Sequence, residues 1–427
     1  MLRMYTHRLT LILATLTGFC DDALAQQAAT LAAPPPLAIA GPEPEASSPL
    51  PVEQVVASIG RGVDFLTQSQ RKDGAWGSAE SQRYYGITAP IPGAHNAFRT
   101  AVTSLALVAL IDASSQLEGD RLAAAQSAIE KGQDWLLEFG DELRRAAPDA
   151  YGQRRDSHTH QRTFTLYNVW GHAYAIHALV SLYDRAEGDP ELQAKLKSAL
   201  EYQVDRLRRC AFLNGGWGYY DMVARTKTPS GSPISFTTAT VLIALQEAAE
   251  LEVSFPQELT QKALDSILRQ RYPDFAYAYG EYLRFHPRIG INRPAGSLGR
   301  SQVCNLALRM YGDTQVTDEV LRTWLDRLVA RNGWLSMSRK RHIPGESPHF
   351  ADFSVAGYFF YYGHFYAAKC IEELPAAEQP FYQDHLANIL VPLQEKDGSW
   401  WDFLLYDYHQ AAGTGMAVST LVRTLHE

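Results

Sequence analysis

One pattern recurs six times along this chain and constrains its fold more than any other feature. Amphipathic helical stretches open near Val52, Arg121, Pro190, Pro256, Thr317 and Pro380, at steps of 61 to 69 residues. They read VEQVVASIGRGVDFLTQ, RLAAAQSAIEKGQDWLLEF, ELQAKLKSALEYQVDRL, PQELTQKALDSILRQ, TDEVLRTWLDRLVA and PFYQDHLANILVPLQ. In each, apolar residues return at helical spacing and the opposite face is charged. A second, different stretch follows each one: FRTAVTSLALVALI, TLYNVWGHAYAIHALVSLY, ISFTTATVLIALQEAAEL, GRSQVCNLALRMY, FSVAGYFFYYGHFYAAKCI and AAGTGMAVSTLVRTL. These carry few charges and many small or aromatic residues, and a helix apolar nearly all round is buried. Six hairpins that each hide one helix behind another predict an all-α, (α/α)6 toroid with an outer and an inner layer. An open solenoid would want polar capping repeats at both ends, whereas the final stretch is among the most apolar. The ring is therefore expected to close, with residues 409–424 against 96–111.

The turns between paired helices carry a second signal. Repeat one has Gln70-Arg71-Lys72-Asp73-Gly74-Ala75-Trp76-Gly77, and repeat six has Gln394-Glu395-Lys396-Asp397-Gly398-Ser399-Trp400. Repeat three keeps Asn214-Gly215-Gly216-Trp217-Gly218 and repeat five a shortened Asn332-Gly333-Trp334, while repeats two and four read as degenerate. Glycine ends the outer helix with positive φ, Asp or Asn shapes the turn, and the tryptophan covers the hairpin end. This Q-x-x-D-G-x-W element resembles the QW motif of squalene-hopene and oxidosqualene cyclases. The helix-pair repeat is similar to that of protein prenyltransferase β subunits. The resemblance spans the globular chain and implies the toroid, in an exported bacterial type of protein. It says little about chemistry, because one fold hosts many functions.

The ends bear on compartment. Arg3, His7 and Arg8, the apolar run Leu9–Phe19, and Ala23-Leu24-Ala25 read as a signal peptide over residues 1–25. Residues 26–51 are rich in Ala, Pro and Ser and are expected to form a disordered or extended tether, not part of a core. Residues 52–427 are then the toroid domain, exported to a periplasmic or extracellular location. No later segment reads as a membrane span. The formal charge of −8 argues against a nucleic-acid partner. Cys210, Cys304 and Cys370 form neither a disulfide framework nor a zinc spacing and are read as buried thiols; no metal and no cofactor is implied.

Parallel inner helices would gather six N-termini at one mouth, where dipoles and free N–H groups favour anions. Candidates there are His95, Asn96 and Arg99; His158, His160 and Arg162; Thr237 and Thr238; Arg300, Ser301 and Asn305; Asp352; and Tyr408, His409 and Gln410. Arg99, Arg162 and Arg300 hold equivalent places in three repeats and are expected to converge. Aromatics crowd the inner helices, among them Tyr167, Trp170, Tyr174, Phe236, Tyr358, Tyr362 and Phe365. Such a wall suits polyenes, carbocations or sugar faces. His172 and His177 lie five apart, the wrong step for a helical metal pair.

The squalene-cyclase resemblance implies an acid in a D-x-D-D-T-A segment. Its counterpart here is Ser235-Phe236-Thr237-Thr238-Ala239-Thr240, without an acid, and Asp352 is the one acidic residue read at an inner-helix start. Prenyltransferase zinc chemistry lacks a clear Asp-x-Cys at Cys304, and the thioester motif is absent. The expectation is a toroid that binds or modifies an isoprenoid or other amphiphile. Asp352, His95, His172 and Tyr167 are its catalytic candidates. Arg99, Arg162, Arg300, Asn96, Asn168, Trp170, Thr237, Tyr358 and Tyr362 are its binding candidates. A polysaccharide lyase-like site using His95, Asn96, Arg99, Arg162, Tyr167, Asn168 and His172 is the alternative, with a glycan as ligand. A non-catalytic toroid that binds a ligand or a protein is the third class.

Overall fold

Outer helices end where a residue leaves helical geometry, as Gln70, Ala211 and Arg271 do in extended conformation. The computed structural model describes residues 41–78, 94–139, 169–219, 232–337, 339–340, 357–404 and 407–426, without the side chains of 94–96 and 139. The outer helices are α1 (Val52–Ser69), α3 (Gly119–Phe139), α5 (Pro190–Cys210), α7 (Gln257–Gln270), α9 (Asp318–Ala330) and α12 (Gln379–Leu390). The inner ones are α2 (Ala94–Ala113), α4 (Val169–Arg185), α6 (Ser235–Glu250), α8 (Leu298–Met310), α11 (Phe360–Glu372) and α13 (His409–Val422). A short α10 (Asn332–Met337) follows α9. Outer helices start on side-chain caps where the sequence offers them: Asp189 accepts from the N–H of Leu192, and Thr317 from that of Val320.

The inner ring is closed. α2 packs on α4, α4 on α6, α6 on α8, α8 on α11, α11 on α13, and α13 back on α2. Glycine permits the tightest seams. A Cβ at Gly415 of α13 would stand 2.9 Å from the Leu105 carbonyl oxygen of α2, and one at Gly363 of α11 would stand 2.7 Å from the Gly299 Cα of α8. The chain is thus an (α/α)6 toroid, and its last helix lies against its first inner helix.

In repeats one, three and six the turn motif ties the hairpin to its neighbour; in repeat five Asn332-Gly333-Trp334 instead opens α10, with Trp334 exposed, so the turn expected there does not form. Trp76, Trp217 and Trp400 are fully buried. Each indole N–H donates to a carbonyl ten residues back, of Leu66, Leu207 and Leu390, at 2.8 Å. Each tryptophan's backbone N–H donates to a threonine hydroxyl on the following inner helix: Thr103 at 3.0 Å, Thr238 at 2.9 Å and Thr414 at 3.0 Å. Gly74, Gly215 and Gly398 have φ of 93°, 92° and 88°, and each abuts an outer-helix carbonyl, of Lys131, Lys262 and Arg61. Only glycine meets both demands. Gln70 donates to the Ala128 carbonyl, and Gln394 donates to that of Ser58, so repeat six grips repeat one as repeat one grips repeat two.

Repeat four carries the same turn in disguise. Tyr277 takes the tryptophan's place, and Phe275 takes the glycine's at φ 59°. Asp274 accepts from the N–H of Ala276 just as Asp73 does from that of Ala75.

The end of the 26–51 segment lies over the outer layer, where Asn388 donates to Ser47 Oγ and the Ser48 carbonyl at 2.9 and 2.8 Å. One sequence expectation needs correction. The stretch Ala97–Gln116 is long and apolar enough to cross a membrane, contrary to the sequence reading; it is 83% buried because it is inner helix α2 and its continuation. The three cysteines are free and buried, as read.

Candidate ligand site in the ring

A step of seven residues is two helical turns, so it returns a side chain to nearly the same face. Trp170 and His177 on α4, Thr240 and Glu247 on α6, and Tyr362 and Lys369 on α11 are three such pairs. Their contacts show that these faces meet inside the ring. The Trp170 ring lies 6.1 Å from that of Tyr362 and 5.9 Å from that of Phe236. One tier deeper, Thr240 Oγ1 and Tyr362 Oη are hydrogen-bonded at 2.8 Å. At the carboxyl end, Glu247 receives His177 Nδ1 at 2.6 Å and Lys369 Nζ at 2.8 Å. The matching order of tiers makes α4, α6 and α11 parallel and in register. Ala101 and Leu105 of α2 and Ala412 and Met416 of α13 form the facing apolar side, against Tyr174 and Trp170.

The amino-terminal tier is an aromatic wall. Phe236 is its hub, 4.9 Å from Phe359, 5.4 Å from Tyr279 and 6.1 Å from Tyr219. Tyr358 packs on Phe359 at 4.5 Å and edge-on to Phe403 at 5.9 Å. The Tyr219 and Tyr279 hydroxyls are hydrogen-bonded to each other. Trp170, Tyr219 and Tyr358 keep part of their surface accessible while Phe236 and Phe359 are buried. The exposed part of the wall therefore combines π faces with phenol hydroxyls.

Arg300 lies behind this wall. It is fully buried, with its guanidinium 5.7 Å from the Tyr279 ring and 5.3 Å from the Phe359 ring. It donates to the carbonyls of Gly296 at 3.0 Å, Tyr277 at 3.1 Å and Ile291 at 2.5 Å. Among the described residues no carboxylate pairs with it, and its Nε has no partner. Burial lowers its pKa from the usual arginine value. Arg300 is at the expected end of the ring, but it supports the wall instead of lining it.

The other candidates divide. Arg99 does not join Arg300: its Nε donates to the Gly77 carbonyl at 3.0 Å, it pairs with Asp73, and it sits 5.2 Å from the Trp135 ring. A buried guanidinium takes the nearest carboxylate and carbonyl, and here both belong to its own hairpin turn. His172 is likewise no lumen group. It faces the outer layer, with Nδ1 2.7 Å from Gln203 Oε1, and burial pushes its pKa down to about 4, which keeps it neutral. Thr237 is buried and, among the described residues, its hydroxyl has no hydrogen-bond partner. Trp170, Tyr358 and Tyr362 do come together. His95 and Asn96 lie in the first turn of α2 with side chains outside the described residues, and Arg162, Tyr167, Asn168 and Asp352 lie outside them altogether.

Two acids stand outside the sequence expectation. Asp402 belongs to a turn, which gives it no helical pattern to mark it, yet it serves an inner-helix start: it accepts from the N–H of Tyr361 at 3.1 Å and of Phe403 at 2.7 Å. Burial pushes its carboxyl up to about 6 against those two hydrogen bonds. Glu247 is the centre of the carboxyl-end tier. Burial would raise its carboxyl, but His177 and Lys369 hold it well below the ordinary range. The space beside this tier is about 10 Å³, room for one water. It admits no organic substrate.

No family model matches the chain, and no curated protein does either. Solved structures match in overall shape. The apo type II terpene cyclase MstE from Scytonema has a TM-score of 0.47 at 11% identity, over 87% of this chain and 98% of that one. A D-mannose isomerase has a TM-score of 0.47 at 12% identity, over 89% and 100%. The GH76A alpha-1,6-mannanase of Salegentibacter sp. HEL1_6 has a TM-score of 0.45 at 10% identity, over 86% and 98%.

Proposed function

We propose that this chain is an exported, terpenoid-cyclase-like toroid that binds or modifies an apolar or amphiphilic small molecule, of isoprenoid type, at the amino-terminal mouth of its inner ring. The observation that carries this reading is the aromatic wall of Trp170, Tyr219, Phe236, Tyr279, Tyr358 and Tyr362. Its accessible rings offer apolar area at little entropic cost. Its phenols give one end of a ligand something to bond. Squalene-type cyclisation is not proposed. Alkene protonation needs a strong general acid aimed into a dry site. At the aligned place Ser235 donates to the Ala278 carbonyl, Thr238 to that of Trp217, and Thr240 meets Tyr362. Asp402 has both oxygens engaged by backbone N–H groups.

A glycan is the second reading, favoured by the same wall, because the accessible rings of Trp170, Tyr219 and Tyr358 also suit sugar faces. The lyase-like variant of that reading loses support at Arg99 and His172, which serve the hairpin and the interlayer core. The test is a titration of Trp170 fluorescence with farnesyl monophosphate and, separately, with a mannan oligosaccharide. The reading expects saturable quenching by the farnesyl probe that is abolished in Trp170→Phe, and no polycyclic product after incubation with squalene. Quenching by the oligosaccharide alone would transfer the site to sugars, and hopene-like products would show that an acid was overlooked.

A further inference from the structure

The segment between α7 and α8 is built as a fixed arm, and its outer surface is unlike the rest of the protein. Residues 281–297 form three short 3-10 turns, Glu281–Leu283, Gly290–Asn292 and Pro294–Ser297. Asn292, buried, pins them: its Oδ1 accepts from the N–H of Tyr279, and its Nδ2 donates to the carbonyls of Leu283 at 3.0 Å and His286 at 3.1 Å. Arg300 holds the same arm from below through the carbonyls of Ile291 and Gly296. Glu281 closes the base by accepting from Arg269 at 2.7 Å and Arg284 at 2.6 Å, and Arg269 also donates to the Asn214 carbonyl of the neighbouring turn.

What this scaffold holds out is apolar and cationic. Phe285 is 77% exposed, Tyr282 58%, and Leu213, on the turn tied to the arm, 64%. An ordered arm gains nothing in water by presenting a phenyl ring, so such a patch marks a contact surface. The chain carries a formal charge of −8, yet residues 282–297 contain Arg284, Arg288 and Arg293 and no carboxylate. Arg284 is committed to Glu281 and lies 4.5 Å from the Phe285 ring. Arg288 and Arg293 are exposed and, among the described residues, meet no carboxylate; Arg293 donates only to the Arg288 carbonyl. The arm also backs the ligand wall, since Asn292 fixes the backbone of Tyr279.

We infer that this arm docks on an anionic lipid surface, with Tyr282, Phe285 and Leu213 entering the interface and Arg288 and Arg293 meeting lipid phosphates. Aromatic rings beside arginines are the side chains that settle at the level of lipid headgroups. A positive patch on an acidic protein also fixes which way the protein faces. Docked so, the ring presents its amino-terminal mouth to the membrane. The surface does not depend on the ligand proposal, and the two fail separately.

The test is co-sedimentation of the full chain with vesicles of phosphatidylcholine, and of equal parts phosphatidylcholine and phosphatidylglycerol. The wild type is expected to partition onto the mixed vesicles at low salt, weakly onto the neutral ones, and to be released by high salt. Each arginine contributes about fivefold. Arg288→Gln with Arg293→Gln should therefore weaken partition about twenty-fivefold, and Phe285→Ser should weaken it about tenfold. These side chains are exposed, so the variants are expected to keep the wild-type melting temperature and farnesyl quenching. No binding to either vesicle, or equal binding by wild type and variants, overturns the inference and leaves the patch to a protein partner.

Discussion

The buried tier of His177, Glu247 and Lys369 gives a sharp test of how the ring is held. The three side chains come from α4, α6 and α11, are only 12–16% exposed, and share one carboxylate. At 2.8 Å, and with an effective dielectric of about 20, Lys369 and Glu247 attract by about 6 kcal/mol. Loss of lysine hydration offsets part of that, so breaking the pair is expected to cost about 3 kcal/mol, the low end for a buried pair left half-compensated. Lys369→Met should thus lower the thermal midpoint by about 4 °C for a domain of this size. pH supplies the second readout. The Glu247 carboxyl is held below its ordinary value of 4.5 in the folded protein. It therefore contributes stability that is present above that value and is lost as pH falls through and below it. In Lys369→Met the acid-side loss should shrink, because one of the two partners that depress the carboxyl is gone. Adding Glu247→Gln should recover at least half of the loss, since the half-compensated buried carboxylate is then gone. Urea melts of the three proteins from pH 3 to pH 8 decide it. A single-variant cost below about 1 kcal/mol, or an unchanged acid slope, would refute the claim that this tier clamps the ring.

Two further outcomes follow from the turns. Gln394→Ala removes donations to the Ser58 and Gly398 carbonyls and the bond from Ser58 Oγ at the seam between repeats six and one. It should cost about 2 kcal/mol in urea melts, whereas half-exposed Gln410→Ala should cost under about 0.5 kcal/mol. Asp402 has its folded pKa raised from 3.8 to about 6. The native state then binds that proton more tightly than the unfolded chain, and stability falls as pH rises between those values. Asp402→Asn should flatten that part of the stability profile.

The fold is legible in the sequence because repeat length and helix character are local properties. The closed ring follows from an apolar final helix, and Gly415 against Leu105 is how that helix is accommodated. Repeat four is hidden because Phe275 and Tyr277 do the work of glycine and tryptophan with other side chains. The lumen is harder to read. An inner helix apolar nearly all round does not show which face meets the axis, so Trp170 and buried His172 look equivalent. Charge does not reveal direction either: Arg99 finds Asp73 in its own turn, and Arg300 finds three carbonyls. The sequence does hold one pointer to the lumen. His177, Glu247 and Lys369 stand seven residues after Trp170, Thr240 and Tyr362 respectively, and aligning those equal steps on parallel helices places the three polar groups at one level.

The central claim is that the amino-terminal mouth holds an apolar or amphiphilic ligand against the aromatic wall. Native mass spectrometry of the chain purified from its own envelope tests it most directly. The account predicts an excess mass that leaves on collisional activation, extracts into organic solvent as an isoprenoid-type molecule, and is missing from a Trp170→Ala, Tyr358→Ala double variant that still melts cooperatively. A bare protein mass, a released glycan, or an isoprenoid retained in that variant would contradict it.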